Sequence, residues 1–170
     1  MKLRGIKLAA VALTAACVLV SAGCTTRSQM AFTVNGAVTT TDEVQVMIDG
    51  CTAALGMATS PISASGLVGT MIGVDLARQV AADQKVTYTD DELRQPIQSG
   101  SVASLMLTDP NCAQLAFGMV LAGLLADQLG ASIFQADAQA IPVIVNPRFG
   151  TWDTATLSIS GSGSLSQADS

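Results

Sequence analysis

Residues 109–129 read DPNCAQLAFGMVLAGLLADQL, and this stretch decides the fold class. Asp109 is a helix-capping residue and Pro110 suits the first helical position, so we expect a helix to begin here. Twelve consecutive apolar or glycine residues follow, from Leu115 to Ala126. This run is shorter than the ~20 apolar residues that a membrane-spanning helix needs. The stretch therefore predicts a central buried helix whose Met and Leu side chains belong to the core.

Two capping boxes mark further helix starts on the N-terminal side of this stretch. Thr40 precedes Glu43 by three residues, and apolar residues then recur every three or four positions as far as Leu55. Thr89 and Glu92 repeat the spacing and predict a short polar helix that runs to about residue 98. Residues 99–108 form a weakly specified connection between this helix and the central one.

A further apolar face predicts a helix over residues 65–84, which contains Gly66, Gly69 and Gly73. Glycine inside a helix costs up to ~1 kcal/mol, so we expect these three to let a neighbouring element approach closely. Short β-prone runs at residues 31–34 and 141–145 flank the helices. Together these patterns predict a mainly α domain, a bundle of about four to five helices with short strands near its two ends.

The first 24 residues have the pattern of a lipoprotein signal peptide. Three cations precede an apolar run over residues 8–23, and small residues stand just before Cys24. The cations are Lys2, Arg4 and Lys7, and the small residues are Ser21, Ala22 and Gly23. We therefore predict a signal peptide over 1–23, lipidation of Cys24 and a tether over 24–30. A lipid on Cys24 would anchor the exported chain to the outer face of the cell membrane.

Two other processing sites fit the same segment. Lipoprotein signals favour Leu three positions before the cysteine, where this chain has Ser21, so an ordinary cleavage after Ala22 is an alternative. Cys17 also follows a lipobox-like sequence, but its use would leave the apolar residues 18–20 in the tether. Cys24 is the better lipidation site on this ground.

The charge of the exported chain excludes one class of partner. Cleavage after residue 23 removes three of the eight basic residues and leaves all 13 acidic ones, a net charge of −8. Such a surface does not attract the phosphates of nucleic acid, and no basic cluster offsets it. We therefore expect no nucleic-acid partner.

With Cys17 and Cys24 assigned to the signal, the remaining cysteines are Cys51 and Cys112. An even pair in an exported protein favours a structural disulfide. A redox or metal-binding pair is the alternative, but the chain has no CxxC motif and no histidine. Because general acid–base and nucleophilic sites most often use histidine, we predict no catalytic, metal-binding or cofactor-binding residue and no enzymatic activity.

Three segments, taken in order, carry a resemblance to a known family. Residues 31–40, AFTVNGAVTT, resemble the opening strand and turn of SurA-type and PpiC-type exported chaperones. Residues 75–93, DLARQVAADQKVTYTDDEL, are similar to that family's helix, turn and following helix start. Residues 145–153, VNPRFGTWD, resemble the last strand and turn of small actinobacterial lipoproteins of this group.

The resemblance implies a SurA-N-like helical domain over residues 31–154 whose first and last strands pair, followed by a flexible Ser/Gly-rich tail over 155–170. Full-length relatives insert a parvulin-type prolyl isomerase domain where this chain has only residues 99–108. We therefore expect the chaperone module without the isomerase.

The resemblance and the predicted anchor together imply a lipid-anchored, chaperone-like protein that binds unfolded or partly folded envelope polypeptides. Loss of the isomerase insert also fits an alternative, a structural or adaptor lipoprotein that serves one specific envelope partner. A residual prolyl isomerase is the third hypothesis, and it lacks identifiable catalytic residues.

Overall fold

The computed structural model describes residues 29–57 and 62–161. The predicted signal peptide, Cys24, the tether up to residue 28 and residues 162–170 of the predicted tail lie outside the described residues. The helices are α1 (Thr41–Leu55), α2 (Ala64–Asp83), α3 (Asp90–Arg94), α4 (Val102–Met106), α5 (Pro110–Leu129) and α6 (Ala131–Ala140). The strands are β1 (Met30–Val34), β2 (Ala37–Thr40), β3 (Val143–Val145), β4 (Thr151–Asp153) and β5 (Ser158–Ser160), and a 3₁₀ turn spans Pro147–Phe149. The domain is mainly α, as the sequence predicts.

Helix α5 lies at the centre of the domain, where it packs against α1, α2, α3, α4 and α6. Its buried residues include Leu115, Phe117, Leu121 and Leu125. Among the described residues it is also the one helix that is long and apolar enough to cross a membrane, a criterion that a buried core helix meets as well. The packing of α5 confirms the predicted central helix.

Helices α2 and α5 approach each other closely at Gly118. A Cβ atom on Gly118 of α5 would overlap the side chain of Val74 on α2. The sequence assigned close packing to the glycines of α2 instead, and that prediction is wrong for Gly73, whose missing Cβ faces open space. Gly69 does face a neighbour, because Ile159 of β5 lies 3.9 Å from the position of its absent Cβ.

Local hydrogen bonds set the helix starts where the sequence places them. Thr40 and Glu43 form a complete capping box on α1, and Thr89 and Glu92 form another on α3. Asp109 Oδ1 accepts hydrogen bonds from the backbone N–H groups of residues 111 and 112, at 2.9 and 3.1 Å, and so caps α5. These bonds satisfy N–H groups that have no partner inside the helix.

A three-stranded antiparallel sheet of order β2-β1-β3 joins the two ends of the domain. Asn35 and Gly36, both with positive φ, make the turn between β1 and β2. Phe32 of β1 stands opposite Val145 of β3 and is fully buried beneath the sheet. The pairing of β1 with β3 is the strand pairing that the family resemblance implies.

The predicted flexible tail over 155–170 is wrong in its first part. Residues up to 160 complete the antiparallel β4–β5 hairpin, so the ordered domain extends past residue 154. Asp153 closes the turn, since its side chain accepts hydrogen bonds from the backbone N–H of Ala155 and from the hydroxyl of Thr156, both at 2.9 Å. Ile159 then packs toward Gly69 of α2. The Ser-rich composition of this segment gives no indication that Ile159 packs against α2.

The structure adds two helices that the sequence does not predict, so the described residues contain six α-helices rather than four to five. Ser101 caps α4 inside the expected connection over 99–108. Helix α6 follows Gly130, which supplies no side-chain cap and therefore no start signal in the sequence. Helix α3 ends at Arg94 instead of continuing to about Gln98. Gln95 still has helical φ and ψ, and Pro96 after it has no backbone N–H with which to continue the helix.

Candidate functional site: an apolar groove and a carboxylate cleft

An open cavity of about 340 Å³ lies between α2, α5 and α6, and we call it the α2–α5–α6 groove. Its walls come from three helices and from the loop before β5, so no single segment of the sequence defines it. The lining residues are Thr70, Gly73, Val74, Leu76, Gly118, Met119, Ala122, Phe134, Ala138 and Leu157. The lining of the groove is almost wholly apolar.

Small residues create this groove. Gly73 leaves open space where a side chain would stand, and Ala122 and Ala138 contribute only methyl groups. Phe134 forms one wall, and Met119, which is 51% exposed, stands at the opening. A thioether side chain is flexible and polarizable and therefore adapts to apolar surfaces of different shapes.

The groove offers nothing that would hold a charged ligand. Its lining contains no ionisable side chain. The hydroxyl of Thr70, its one polar side chain, donates a hydrogen bond to the Gly66 carbonyl at 3.1 Å. Beyond Thr70 and Leu157, a second cavity of about 330 Å³ continues between α2 and β5. The groove therefore suits uncharged apolar groups, with room for a chain to continue along α2.

A cleft of different chemistry, the α1–α2 cleft, has a volume of about 400 Å³. It is lined by Thr39, Asp42, Glu43, Val46, Met47, Met71, Asp75, Arg78 and Asn111. Arg78 Nη1 lies 3.1 Å from Asp75 Oδ1, and Nη2 donates a hydrogen bond to the Gln114 carbonyl at 3.3 Å. Burial raises the pKa of Asp75, the charge and hydrogen bond of Arg78 lower it, and the nearby charge of Glu43 raises it further.

The predicted disulfide is present in the structure. Cys51 of α1 and Cys112 of α5 are joined across 61 positions of sequence, with their Cα atoms 4.8 Å apart. Cys51 is 1% exposed and Cys112 is fully buried, so the bond lies inside the core. Cys24, the predicted lipidation site, lies outside the described residues. Within the described residues, no group of three or more His, Cys, Asp or Glu side chains has the arrangement of a metal site.

Sequence reasoning missed the groove because it assigned the Met and Leu residues of α5 to the core. Leu121 and Leu125 are buried as expected, whereas Met119 stands half exposed at the groove. The three glycines of α2 were a partial signal for the groove. A glycine inside a helix indicates a close neighbour as readily as it indicates open space beside the helix.

The structure is a mainly α domain with a short sheet that joins its two ends, a buried disulfide and an open apolar groove. No family model, curated protein or solved structure matches the chain. The resemblance to the SurA N-terminal domain therefore stays a prediction, and the case for a function depends on the groove itself.

Proposed function

We propose that this protein is a lipid-anchored, chaperone-like binding protein at the outer face of the cell membrane. It holds apolar segments of unfolded or partly folded envelope polypeptides and has no isomerase activity. The observation that carries the proposal is the α2–α5–α6 groove, which is open, apolar and free of ionisable side chains. The signal-like N-terminus and Cys24 support the location.

The size and polarity of the groove favour side chains of a polypeptide over a polar metabolite. Its 340 Å³ lies at the low end of the ~300–1,000 Å³ range of small-molecule sites. Such sites also carry a few convergent polar groups that fix the orientation of the ligand, and the hydroxyl of Thr70 is the one polar side-chain group here. An apolar groove without such groups accepts many sequences, as a chaperone requires.

One observation favours the adaptor alternative. Val38 of β2 and Ile144 of β3 flank Thr33 across the sheet and are 45% and 59% exposed. This apolar row, on a rigid surface, fits a single partner of fixed shape better than it fits many unfolded chains. Crosslinking in the intact envelope followed by mass spectrometry separates the two functions, because an adaptor yields one dominant partner and a chaperone yields many.

The substitution Gly73→Leu tests the groove directly. A Cβ atom at this position meets nothing within 4 Å, and a leucine side chain beyond it is expected to occupy the groove. Gly123→Leu on α5 is the matched control, because an added Cβ there also meets nothing within 4 Å but Gly123 does not line the groove. Replacing glycine within a helix favours folding by up to ~1 kcal/mol, so neither variant is expected to lose stability.

The assay uses the chain from residue 24 to 170 with Cys24→Ser and measures binding of a fluorescent unfolded apolar peptide and suppression of client aggregation. Burial of one large apolar side chain is worth ~1.5–3 kcal/mol, so Gly73→Leu should weaken peptide binding by about tenfold to a hundredfold. Gly123→Leu should bind like the parent. Equal binding by Gly73→Leu and the parent, or no peptide binding by the parent, refutes the proposal.

A further inference from the structure

The α1–α2 cleft carries more negative charge than its own residues neutralise. Asp42, Glu43 and Asp75 line it together with a single cation, Arg78. Three carboxylates and one guanidinium leave an excess of two negative charges when all are ionised. The pKa of Asp75 is raised by burial against the lowering effect of Arg78, and the charge of Glu43 raises it further in smaller part.

The guanidinium of Arg78 makes two contacts within the fold, and its side chain is 47% exposed. One of its nitrogens pairs with Asp75 and the other donates to the Gln114 carbonyl. The remaining cations of the described residues, Lys85, Arg94 and Arg148, do not line the cleft. Asp42 on α1 is exposed, and no hydrogen bond joins its carboxylate to another described residue. The cleft is therefore complementary to a cation supplied from outside.

The floor of the cleft is apolar, and this determines what kind of cation fits. Met47 of α1 and Met71 of α2 line it, and Val46 is 52% exposed beside Asp42. A lysine or arginine side chain lays its aliphatic stem along such a surface while its charged end stays near carboxylates and water. A hard cation such as Ca²⁺ or Mg²⁺, which prefers oxygen ligands, would gain nothing from the methionines and valine.

We propose that the α1–α2 cleft is a docking site for a lysine or arginine side chain flanked by apolar residues in an extended polypeptide. The site differs from the α2–α5–α6 groove, because Asp75 and Arg78 line the cleft but not the groove, and Gly73 lines the groove but not the cleft. The inference therefore does not depend on the proposed function. It implies that the protein prefers basic apolar segments over acidic ones.

The test measures binding of two fluorescent peptides to the chain from residue 24 to 170 with Cys24→Ser. The peptides are identical except for a single lysine or glutamine between two leucines. An exposed ion pair contributes up to ~1 kcal/mol, so the lysine peptide should bind about fivefold more tightly at low salt. The preference should fall below about twofold in 0.5 M salt, because ions screen exposed charges.

The double variant D42N/D75N should lose the lysine preference, whereas D83N/D127N should keep it. Both variants remove two negative charges, but Asp83 and Asp127 lie outside the cleft. Glu43 is left intact because it closes the capping box of α1. The single variants D42N and D127N give the same comparison if a double variant does not fold.

Three results would overturn the inference. The first is equal binding of the two peptides by the parent. The second is a lysine preference in D42N/D75N that equals that of the parent. The third is a loss of lysine preference in D83N/D127N as large as in D42N/D75N, which would assign the effect to net charge. The Gly73→Leu variant separates this inference from the proposed function. If the groove fails as a binding site but the cleft holds, Gly73→Leu retains the lysine preference.

Discussion

Two glycines of helix α5 should respond to alanine with opposite signs. Gly118 faces Val74 so closely that an added methyl group would overlap it, while Gly123 faces open space. Alanine gains ~1 kcal/mol over glycine in a helix interior, and overpacking a tight core costs ~1–3 kcal/mol. Gly123→Ala should therefore stabilise the domain by up to ~1 kcal/mol. Gly118→Ala should destabilise it by up to ~2 kcal/mol once the helix gain is subtracted.

Urea unfolding of the two variants beside the parent measures this difference. The gap between them should equal the overpacking cost, and for a domain of this size each kcal/mol corresponds to roughly 3–5 °C in the midpoint of thermal unfolding. Val74→Ala combined with Gly118→Ala supplies the internal check, because removing the Val74 methyl groups relieves the overlap. The double variant should therefore lose less free energy of unfolding than the sum of the losses in the two single variants. Gly118→Ala at or above the stability of the parent would refute the close contact between α2 and α5.

Two further predictions concern the disulfide and the capping box of α3. Replacing both Cys51 and Cys112 with alanine should lower the free energy of unfolding by about 4 kcal/mol in the chain-entropy model for a loop of this length. A thiol reagent that labels Cys51 or Cys112 in the denatured, unreduced chain would contradict the disulfide. Hydrogen bonds from Thr89 hold the pKa of Glu92 below 4.5, so its stabilising contribution is present at neutral pH and lost as the pH falls through the folded-state pKa. The stability difference between the parent and Glu92→Gln, measured by urea unfolding at several pH values, should therefore shrink below pH 4.5. A difference that does not change with pH would contradict this.

The sequence predicts best what depends on neighbours along the chain. The capping boxes at Thr40 and Thr89 and the cap at Asp109 each need only residues two or three positions away. The same holds for the turn at Asn35 and Gly36, where positive φ suits both residue types. These signals fix the helix starts and the fold class before any tertiary contact is known.

The groove depends on residues that are distant in sequence, and no local pattern reports it. Gly73 and Ala122 are separated by 49 positions, and whether each faces a neighbour or open space follows from how α2 and α5 cross. The close approach of Val74 and Gly118 is one of the contacts that fix that crossing. The ordered hairpin was missed for a related reason, since Ile159 packs against residues distant in sequence, among them Gly69 of α2.

The pairing of β1 with β3 has a consequence for synthesis. The chain emerges from the ribosome with its N-terminus first, so β1 is present long before residues 143–145 are made. Until then Phe32 has no strand opposite it on that side, and the edge that β3 will occupy is exposed. The hydrogen bonds from Asn146 to the carbonyls of Met30 and Ala31 form last as well. The sheet is thus completed only after residues 143–145 have been made, so β1 must wait for more than a hundred later residues before its second partner strand exists.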